Sequence, residues 1–251
     1  MLEQITPLIL TRDEDVNIGR TLGQLEWAAE VVVVDSLSTD GTVEIAQSFP
    51  NARVVQRPYD TLAAQSNFGI AQADTEWVML LDADYYVTDE LTRQLAALRP
   101  PEDVDAYEIP FLYAVNGKRL RATLYPPRIV LFRRKHGGVV QDGHAHRVRV
   151  PGRTERLDAP IVHDDRKSLG RFLDRQKRYM RQEAAKLREA DPKTLNFAAR
   201  LRKLRVVAPF AVLVHTLFVK RLFLDGFAGM RYVLERVLAE CMLSVELFRK
   251  R

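Results

Sequence analysis

Two aspartates one residue apart follow an apolar run in the first half of the chain. The run is Trp77–Leu81, and the pair is Asp82 and Asp84. One or two carboxylates, with water and substrate phosphate completing the shell, are how proteins hold Mg²⁺ or Mn²⁺ on a diphosphate. Such an ion offsets the negative charge that builds on a departing diphosphate. Chance or a solvated loop also produces so short a pattern, but its place directly after an apolar run favours a metal site.

Further carboxylates follow two earlier apolar runs. Thr11-Arg12-Asp13-Glu14 comes after the first run, and Asp35 comes after the second. In an open parallel sheet, ligands bind outside the carboxyl ends of the strands. We therefore expect these groups to converge at one sheet edge, where a cation or hydrogen-bond donors must compensate their charge. Asp40 lies five residues beyond Asp35. For both residues the alternative to ligand binding is a structural role, in which they only close a turn and cap a helix.

The elements that must position these groups alternate between strands and helices over the first hundred residues. Four apolar runs have the length of strands: Ile5–Leu10, Val31–Val34, Ala52–Val55 and Trp77–Leu81. Helical patterns cover residues 15–28, 42–48, 60–73 and 88–98. The unbroken β-branched run at residues 31–34 is typical of a central parallel strand covered on both faces. This repetition predicts a parallel sheet with right-handed crossovers.

The rest of the chain follows other patterns. Asn116-Gly117 between two short segments predicts a β-hairpin, with strands at 111–115 and 118–122. Two more strands are predicted at Ile129–Arg133 and Arg147–Val150. Beyond Ser168 the chain reads as a helix to about Asp191, an apolar run at Val206–Val219 and a last helix at about Phe227–Phe248.

Charge is divided unevenly between the two parts of the chain. The net charge is +5, from 38 Lys and Arg against 33 Asp and Glu. Residues 1–165 carry 17 basic and 25 acidic residues (−8), and residues 166–251 carry 21 and 8 (+13). An acidic front and a basic tail indicate a site that uses carboxylates and a surface that meets something anionic. We take residues 1–165 as one domain and residues 166–251 as a basic, amphipathic helical extension.

Several classes of protein are disfavoured. No G-x-G-x-x-G follows the first strand and no G-x-x-x-x-G-K-[ST] occurs, which counts against dinucleotide and P-loop folds. The single cysteine, Cys241, excludes an internal disulfide framework and favours a reducing compartment. The start of the chain lacks the pattern of a signal peptide, and no apolar stretch of spanning length is free of charge.

Three segments in order resemble inverting family-2 glycosyltransferases of the A-type (GT-A, nucleotide-diphospho-sugar transferase) fold. They are LTRDEDVNIGRTL, VVVVDSLSTDGTVEIA and AAQSNFGIAQADTEWVMLLDAD, and the resemblance covers about residues 5–98. The segments YPPRIVLFRR, GGVVQDGH, IVHDDRKSLGRFLDRQKRY and LFLDGFAGMRYVLE more loosely resemble the subgroup that adds sugars to lipopolysaccharide core and related envelope glycolipids. The resemblance implies an α/β fold: a mostly parallel sheet flanked by helices, followed by the helical basic extension.

The resemblance also implies roles for individual residues. Nucleotide-sugar binding would fall to Thr11, Glu14, Asp35, Asp40 and Asp82, with Asp35 accepting a hydrogen bond from the base. Asp82, Asp84 and His163 would lie at a Mg²⁺ or Mn²⁺ ion. Asp142 would be the catalytic base, although the subgroup usually has His-Glu where this chain has Gln141-Asp142. A solvated loop carboxylate is the alternative for Asp142, and a satisfied core histidine is the alternative for His163.

The basic tail allows three interpretations. The fourteen-residue run at Val206–Val219 is too short to span a bilayer but suits burial or a lipid interface. Flanking basic residues, including Arg200–Arg205 and Lys220-Arg221, would favour anionic headgroups by about 1 kcal/mol each. A basic face over a core-packing helix is the second interpretation. Nucleic acid is not expected as a partner, because the tail lacks a groove-reading or base-stacking module.

Together these features predict an inverting, metal-dependent glycosyltransferase. Its donor would be a nucleotide-diphospho-sugar, with a UDP-sugar expected from the resemblance, and its acceptor a lipid-linked or envelope saccharide. The expected location is the cytoplasm, peripherally on the inner face of the cytoplasmic membrane. The alternatives are a soluble transferase acting on a small-molecule or protein acceptor, and a non-catalytic scaffold that keeps the fold.

Overall fold

The computed structural model describes residues 1–142 and 145–249, without the side chains of residues 142, 145 and 146. The chain divides into two compact units. The first unit comprises residues 1–113 and 125–166, and the second unit comprises residues 114–124 and 167–251.

Thirteen strands and eight α-helices occur in the described residues. The strands are β1 (Ile5–Thr11), β2 (Val31–Asp35), β3 (Ala52–Gln56), β4 (Trp77–Asp82), β5 (Tyr85–Val87), β6 (Val104–Ile109), β7 (Phe111–Val115), β8 (Lys118–Arg119), β9 (Arg128–Arg133), β10 (Gly138–Asp142), β11 (Ala145–Arg149), β12 (Arg153–Arg156) and β13 (Ile161–His163). The helices are α1 (Ile18–Gly23), α2 (Thr42–Gln47), α3 (Leu62–Gln72), α4 (Asp89–Ala97), α5 (Leu169–Glu189), α6 (Phe197–Lys203), α7 (Val207–Val214) and α8 (Gly226–Phe248).

The first unit is built on a mostly parallel sheet, as the sequence predicts. Its seven strands have the order β12-β6-β9-β4-β1-β2-β3. Strands β3, β2, β1 and β4 are mutually parallel, and β9 enters antiparallel between β4 and β6. Both faces of the sheet are buried: Val31 and Val33 pack into one apolar cluster, while Val32 and Val34 pack into the other. Burial on both faces explains the unbroken apolar run at β2.

The start of α1 differs from the prediction of a helix over residues 15–28. Asp13 has a positive φ of 52°, and the amides of residues 13–15 bond to side chains of the loop after β2 instead of starting a helix. Helix α1 therefore begins only at Ile18 and ends at Gly23. Side-chain competition for backbone amides is the physical reason for the shortening.

Two hairpins lie in the middle of the chain. Asn116 and Gly117 both have positive φ, as the predicted two-residue turn requires. Strand β8 ends at Arg119 rather than at residue 122, because the Arg121 amide donates to the Asp225 carboxylate instead of to a ladder. The second hairpin pairs β10 with β11, which begins two residues before the predicted strand.

The second unit contains the helices beyond residue 167. Ser168 caps α5, and α7 continues into a π-helical turn at His215–Val219. Arg202 forms a bidentate ion pair with the buried carboxylate of Glu240, with its shortest contact at 2.6 Å. No single helix among the described residues is long and apolar enough to cross a membrane. Only the bent pair of segments 207–219 and 222–248, at 67°, meets that test of length and composition.

Candidate active site

Three parallel strands end side by side at one edge of the first unit's sheet. Where β1 pairs with β2, Thr11 lies opposite Asp35. Where β1 pairs with β4, Leu10 lies opposite Asp82. The structure therefore brings Thr11, Asp35 and Asp82 to one edge. Thr11 is buried, and its Oγ1 has no hydrogen-bond partner among the described residues, so this atom is able to bond to a ligand.

The loops after β1 and β2 are joined by side-chain to backbone hydrogen bonds. The Asp13 amide donates to Ser38 Oγ at 2.9 Å, and the Glu14 amide donates to Thr42 Oγ1 at 2.7 Å. In return, Asp13 Oδ1 accepts from the Thr39 amide at 2.8 Å. These bonds fix the two loops against each other and hold Glu14 beside the strand ends.

Asp35 and Asp40 both bond within this pair of loops. Asp35 is fully buried and accepts from the Ser38 amide and hydroxyl and from Gln56 Nε2. Asp40 accepts from the Thr42 amide and hydroxyl and from the Asp15 amide. Burial raises the pKa of Asp40, but these hydrogen bonds more than offset it and hold the pKa below its ordinary value. Closure of the two loops therefore accounts for the contacts of both carboxylates within the chain, while α2 has Gly41 at its N-cap and no side-chain cap.

The Asp82-x-Asp84 pair lies at the end of β4, as predicted. Asp84 is buried, and its Oδ2 lies 3.0 Å from Nε2 of His163 on β13. Strand β13 pairs with both β5 and β7, so His163 faces Asp84 from the middle of a small sheet. The sequence predicts both residues at one site, and the structure brings them into contact although they are 79 positions apart.

Three tyrosines surround His163. The rings of Tyr85, Tyr113 and Tyr125 lie 4.7–5.5 Å from the imidazole, centroid to centroid. Burial lowers the pKa of His163, but the charge of Asp84 and its hydrogen bond outweigh burial, so the pKa lies above its ordinary value. A protonated His163 neutralises part of the carboxylate charge, and a divalent cation would compete with that proton.

Sequence reasoning missed two arginines at this site. Arg20 of α1 donates to Oδ2 of the buried Asp164 at 2.6 Å and to the Asp164 carbonyl at 2.7 Å. The Asp164 amide in turn donates to the carbonyl of Asp84, so this ion pair fixes the backbone beside the Asp82-x-Asp84 pair. Arg128 lies over the Tyr125 ring at 4.6 Å and contributes positive charge near Asp82. The only sequence signal was the position of Asp164 directly after His163.

The strand that carries Asp142 is fixed to α3. Asn67 Nδ2 donates to the Val139 carbonyl, and the Val139 amide donates to Asn67 Oδ1, both at 2.9 Å. Gln141 Oε1 accepts from the Ala63 amide at 3.2 Å. The backbone of Asp142 ends β10, while the side chain of Asp142 lies outside the described part of the structure.

Exposed apolar side chains of the first unit are concentrated around the strand ends. Among described residues, Val16, Leu37 and Tyr59 lie in the loops after β1, β2 and β3, and Val140 lies on β10. An apolar surface beside convergent polar groups is typical of a small-molecule site.

Residues 9–151 match the sequence profile described as "Glycosyl transferase family 2", which is 143 of the 251 residues. The chain belongs to this family. The match runs from the middle of β1 to just beyond β11, so it includes the loops, the Asp82-x-Asp84 pair and Asp142.

A named relative within the family is the lipopolysaccharide core biosynthesis glycosyltransferase LpsC of Rhizobium meliloti. The two are 28% identical over 162 residues, which are 58% of this chain and 60% of LpsC. The chain spans between 36% and 60% of the length of the curated relatives it matches.

Two solved structures share the fold of this family member. One is the mannosyltransferase PcManGT of Pyrobaculum calidifontis, solved with GDP-Man and Mn²⁺, with a TM-score of 0.54 and 17% identity. The superposition covers 97% of this chain and 86% of that one. The other is S. aureus TarS 1-349 solved with UDP, with a TM-score of 0.50 and 19% identity, covering 87% and 73% of the two chains. At these identities the likeness establishes the GT-A-like fold.

Proposed function

We propose that this chain transfers a sugar from a nucleotide-diphosphate donor to a saccharide acceptor. The observation that carries the proposal is the Asp82-x-Asp84 pair at the end of β4, at the sheet edge where β1 and β2 also end. Family membership and the two sugar-transferase folds support it.

The donor would lie across the ends of β1, β2 and β4. Thr11 Oγ1 is buried beside Asp35 and lacks a partner among the described residues, so it is available to the nucleotide. Glu14 would border the base and ribose, together with the exposed side chains of Val16, Leu37 and Tyr59 in the neighbouring loops. Asp35 and Asp40 would act mainly by holding the second loop in shape, since their carboxylates bond to that loop. We propose UDP as the nucleotide, which is also the ligand in the TarS 1-349 structure.

The residues at the end of β4 fit a divalent ion. Asp82 and Asp84 supply oxygen ligands, and His163 touches Asp84. The described residues contain no group of three or more side chains able to enclose a metal. Mg²⁺ and Mn²⁺ usually take one or two protein carboxylates and keep waters and substrate phosphate as their other ligands. The bound ion would stabilise the charge on the departing diphosphate.

We assign the catalytic base to Asp142. In a single displacement with inversion, the base removes the acceptor hydroxyl proton while the sugar–phosphate bond breaks on the opposite face. General-base help of this kind contributes about 10²–10⁴-fold to the rate. Support comes from the family resemblance and from the two hydrogen bonds of Asn67 that fix β10 to α3.

The acceptor is proposed to be a lipid-linked or envelope saccharide. The support is the relative LpsC, named for lipopolysaccharide core biosynthesis, and the basic composition of the second unit. We place the protein in the cytoplasm, peripherally on the inner face of the cytoplasmic membrane. A transferase for soluble acceptors remains the competing hypothesis, and acceptor assays decide between them.

A thermal-shift screen of nucleoside diphosphates and sugar nucleotides tests the donor site. Ligand that binds only the folded state raises the melting temperature as its concentration exceeds the dissociation constant. We expect UDP and UDP-sugars to raise it with Mn²⁺ or Mg²⁺ and much less with a chelator. Asp84→Asn should abolish the metal-dependent part of the rise in melting temperature. Glu26→Gln is the control, because it changes an exposed carboxylate away from the strand ends, and it should keep the full rise. No shift with any nucleotide would contradict the proposal and favour a non-catalytic scaffold.

A further inference from the structure

Exposed apolar side chains of the second unit lie along two consecutive helical segments. On α7 and its π-helical turn, Val206, Phe210, Val214 and Phe218 recur every four residues, which puts them on one side of the helix. On the next segment, Phe227, Met230 and Leu234 have the spacing of one helix face. With their exposed neighbours they form what we call the apolar face: Val206, Val207, Phe210, Val214, Phe218, Val219, Phe223, Leu224, Phe227, Met230 and Leu234.

Water is an unfavourable environment for this face. Phe210 is 66% exposed, Phe218 is 64% exposed and Phe227 is 80% exposed. Soluble monomers rarely expose so many neighbouring large apolar groups, and such patches mark interaction sites. The opposite sides of the same helices are used for packing, since Ala208, Thr216 and Tyr232 are buried.

The charges near the apolar face are almost all positive. Residues 192–234 contain eight Lys or Arg and one acidic residue, Asp225. Two of the eight are paired with carboxylates that lie beyond this stretch, Arg202 with Glu240 and Arg231 with Glu235. Asp225 is buried and bonds to both the amide and the guanidinium of Arg121, so its charge is compensated. Lys118, three residues before Arg121, also lies close to the start of α8. Its Nζ is 3.9 Å from the point that a Cβ atom would occupy if Gly226 were alanine. This excess of positive charge is complementary to an anionic surface.

A basic pocket adjoins the beginning of the apolar face. A cavity of about 460 Å³ is lined by Arg188, Lys203, Arg205 and Arg249, with Leu247 and Phe248 among its apolar walls. None of the described residues that line it is acidic, although the Arg249 guanidinium is paired with the neighbouring Glu246 at 2.7 Å. The Arg205 guanidinium lies 4.7 Å from the centre of the Phe248 ring, and Arg205 directly precedes Val206 of the apolar face. A cluster of cations with apolar walls has the chemistry to hold a phosphate group attached to a lipid.

The length of the apolar segment limits how it can meet a bilayer. Segment 207–219 contains 13 residues, or roughly 20 Å of helix, against roughly 30 Å of hydrocarbon. The bend of 67° then turns the chain into the next segment. A helix of this kind, apolar on one side and accompanied by cations, suits the interface of one leaflet.

We propose that the second unit binds the surface of an anionic membrane, with the apolar face entering the lipid interface and the basic pocket holding a lipid phosphate. The proposal deepens the function proposed above, because it names the surface on which a lipid-linked acceptor would be presented. Binding to lipid needs neither donor nor transfer, so its failure would overturn the membrane location proposed above and leave the proposed sugar transfer untouched.

Vesicle flotation of the full chain tests the proposal. The probes are vesicles of phosphatidylcholine alone and of phosphatidylcholine mixed with phosphatidylglycerol. We expect the wild type to float with the mixed vesicles, to float poorly with the neutral ones, and to lose binding as salt screens the charges. Phe210→Ser with Phe227→Ser should weaken binding to both kinds of vesicle by at least about tenfold. Lys203→Gln with Arg205→Gln should weaken binding to anionic vesicles alone, by about fivefold per charge.

Matched measurements keep the result interpretable. Phe197→Ser removes a 79% exposed phenylalanine that lies outside the apolar face, and should leave flotation unchanged. Melting temperature and the nucleotide-induced thermal shift should be unaltered in all these variants, because each substituted side chain projects from the surface or lines the open pocket. Equal loss of binding in the Phe197→Ser protein would overturn the assignment. So would a wild type that ignores anionic vesicles, or light scattering that shows the apolar face closing a stable dimer.

Discussion

The two units manage polar and apolar groups in opposite ways. In the first unit the polar groups at the strand ends are tied into hydrogen-bonded loops, and the sheet is covered on both faces. In the second unit the part of the chain beyond residue 167 has many more basic than acidic residues, and large apolar side chains face outward. Of 21 large apolar side chains exposed among the described residues, 17 belong to the second unit. The first unit thus joins its polar loops to one another by hydrogen bonds, whereas the second leaves a large apolar surface exposed.

Removing the proposed base should have the largest effect. Asp142→Asn keeps the shape of the side chain but cannot accept the acceptor proton, so the transfer rate should fall by about 10²–10⁴-fold. Because Asp142 is not assigned to donor binding, the nucleotide-induced thermal shift should stay as in the wild type. Steady-state assays of sugar transfer measure the rate. A rate close to that of the wild type would remove Asp142 from the mechanism.

Removing Asp84, the buried carboxylate proposed to bind the metal, should come next. Asp84→Asn should lower transfer by at least about a hundredfold, because charge on the departing diphosphate loses its compensation. Wild-type protein treated with a chelator should show the same deficit, and added Mn²⁺ should restore only the wild type. Restoration of both proteins by Mn²⁺ would show that Asp84 does not hold the ion.

Breaking the ion pair beside the site tests how rigid the first unit must be. Asp164→Asn leaves Arg20 without its charged partner in a largely buried position, so the free energy of unfolding should fall by about 3 kcal/mol. Urea denaturation measures this loss. Arg53→Gln breaks a more exposed pair with Glu30 in the same unit and should cost less than about 1 kcal/mol. Equal losses in the two variants would contradict the role given to the Arg20–Asp164 pair.

These contacts also show how far the sequence can predict the site. The strand ends and Asp82-x-Asp84 are predictable because a strand and the residue after it are neighbours in sequence. The pairing of Arg20 with Asp164 is not, because 144 positions separate them and no periodic pattern links them. The early end of β8 is unpredictable for a similar reason, because the amide of Arg121 bonds to Asp225, 104 positions away.

The second unit shows a different limit of sequence reasoning. The helical pattern from Ser168 and the last helix are confirmed within a residue or two. An apolar run reads the same whether it is buried or exposed, so the sequence leaves both interpretations of 206–219 open. Only the fold reveals that Phe210 and Phe218 face outward while Ala208 and Thr216 face inward.

A close helix contact provides a test of packing in the second unit. A Cβ on Gly229 would lie 1.9 Å from the carbonyl oxygen of Leu222, which belongs to the backbone and cannot rotate away. Gly229→Ala should therefore lower the free energy of unfolding by about 1–3 kcal/mol. Gly23→Ala is the matched control, because nothing lies within 4 Å of its added carbon. Thermal denaturation of the two variants separates these outcomes, and an unchanged Gly229→Ala protein would contradict the packing.

The smallest expected effect is that of Asp40→Asn on the pH dependence of the free energy of unfolding. The folded-state pKa of Asp40 lies below its ordinary value of 3.8, so its hydrogen bonds add stability that is present above that value and lost as pH falls through the folded pKa. Asp40→Asn should reduce the slope of stability against pH only below about pH 4. Urea titrations at several acid pH values measure it, and an unchanged slope would contradict the role of the Asp40 carboxylate.

In the proposed mechanism Asp82 and Asp84 hold a divalent ion against a nucleotide diphosphate. Anomalous diffraction from crystals soaked with UDP and Mn²⁺ tests this most directly. We expect a manganese peak beside the Asp84 carboxylate and the diphosphate of UDP. Ordered UDP at the ends of β1 and β2 with no manganese at Asp82 or Asp84 would contradict it.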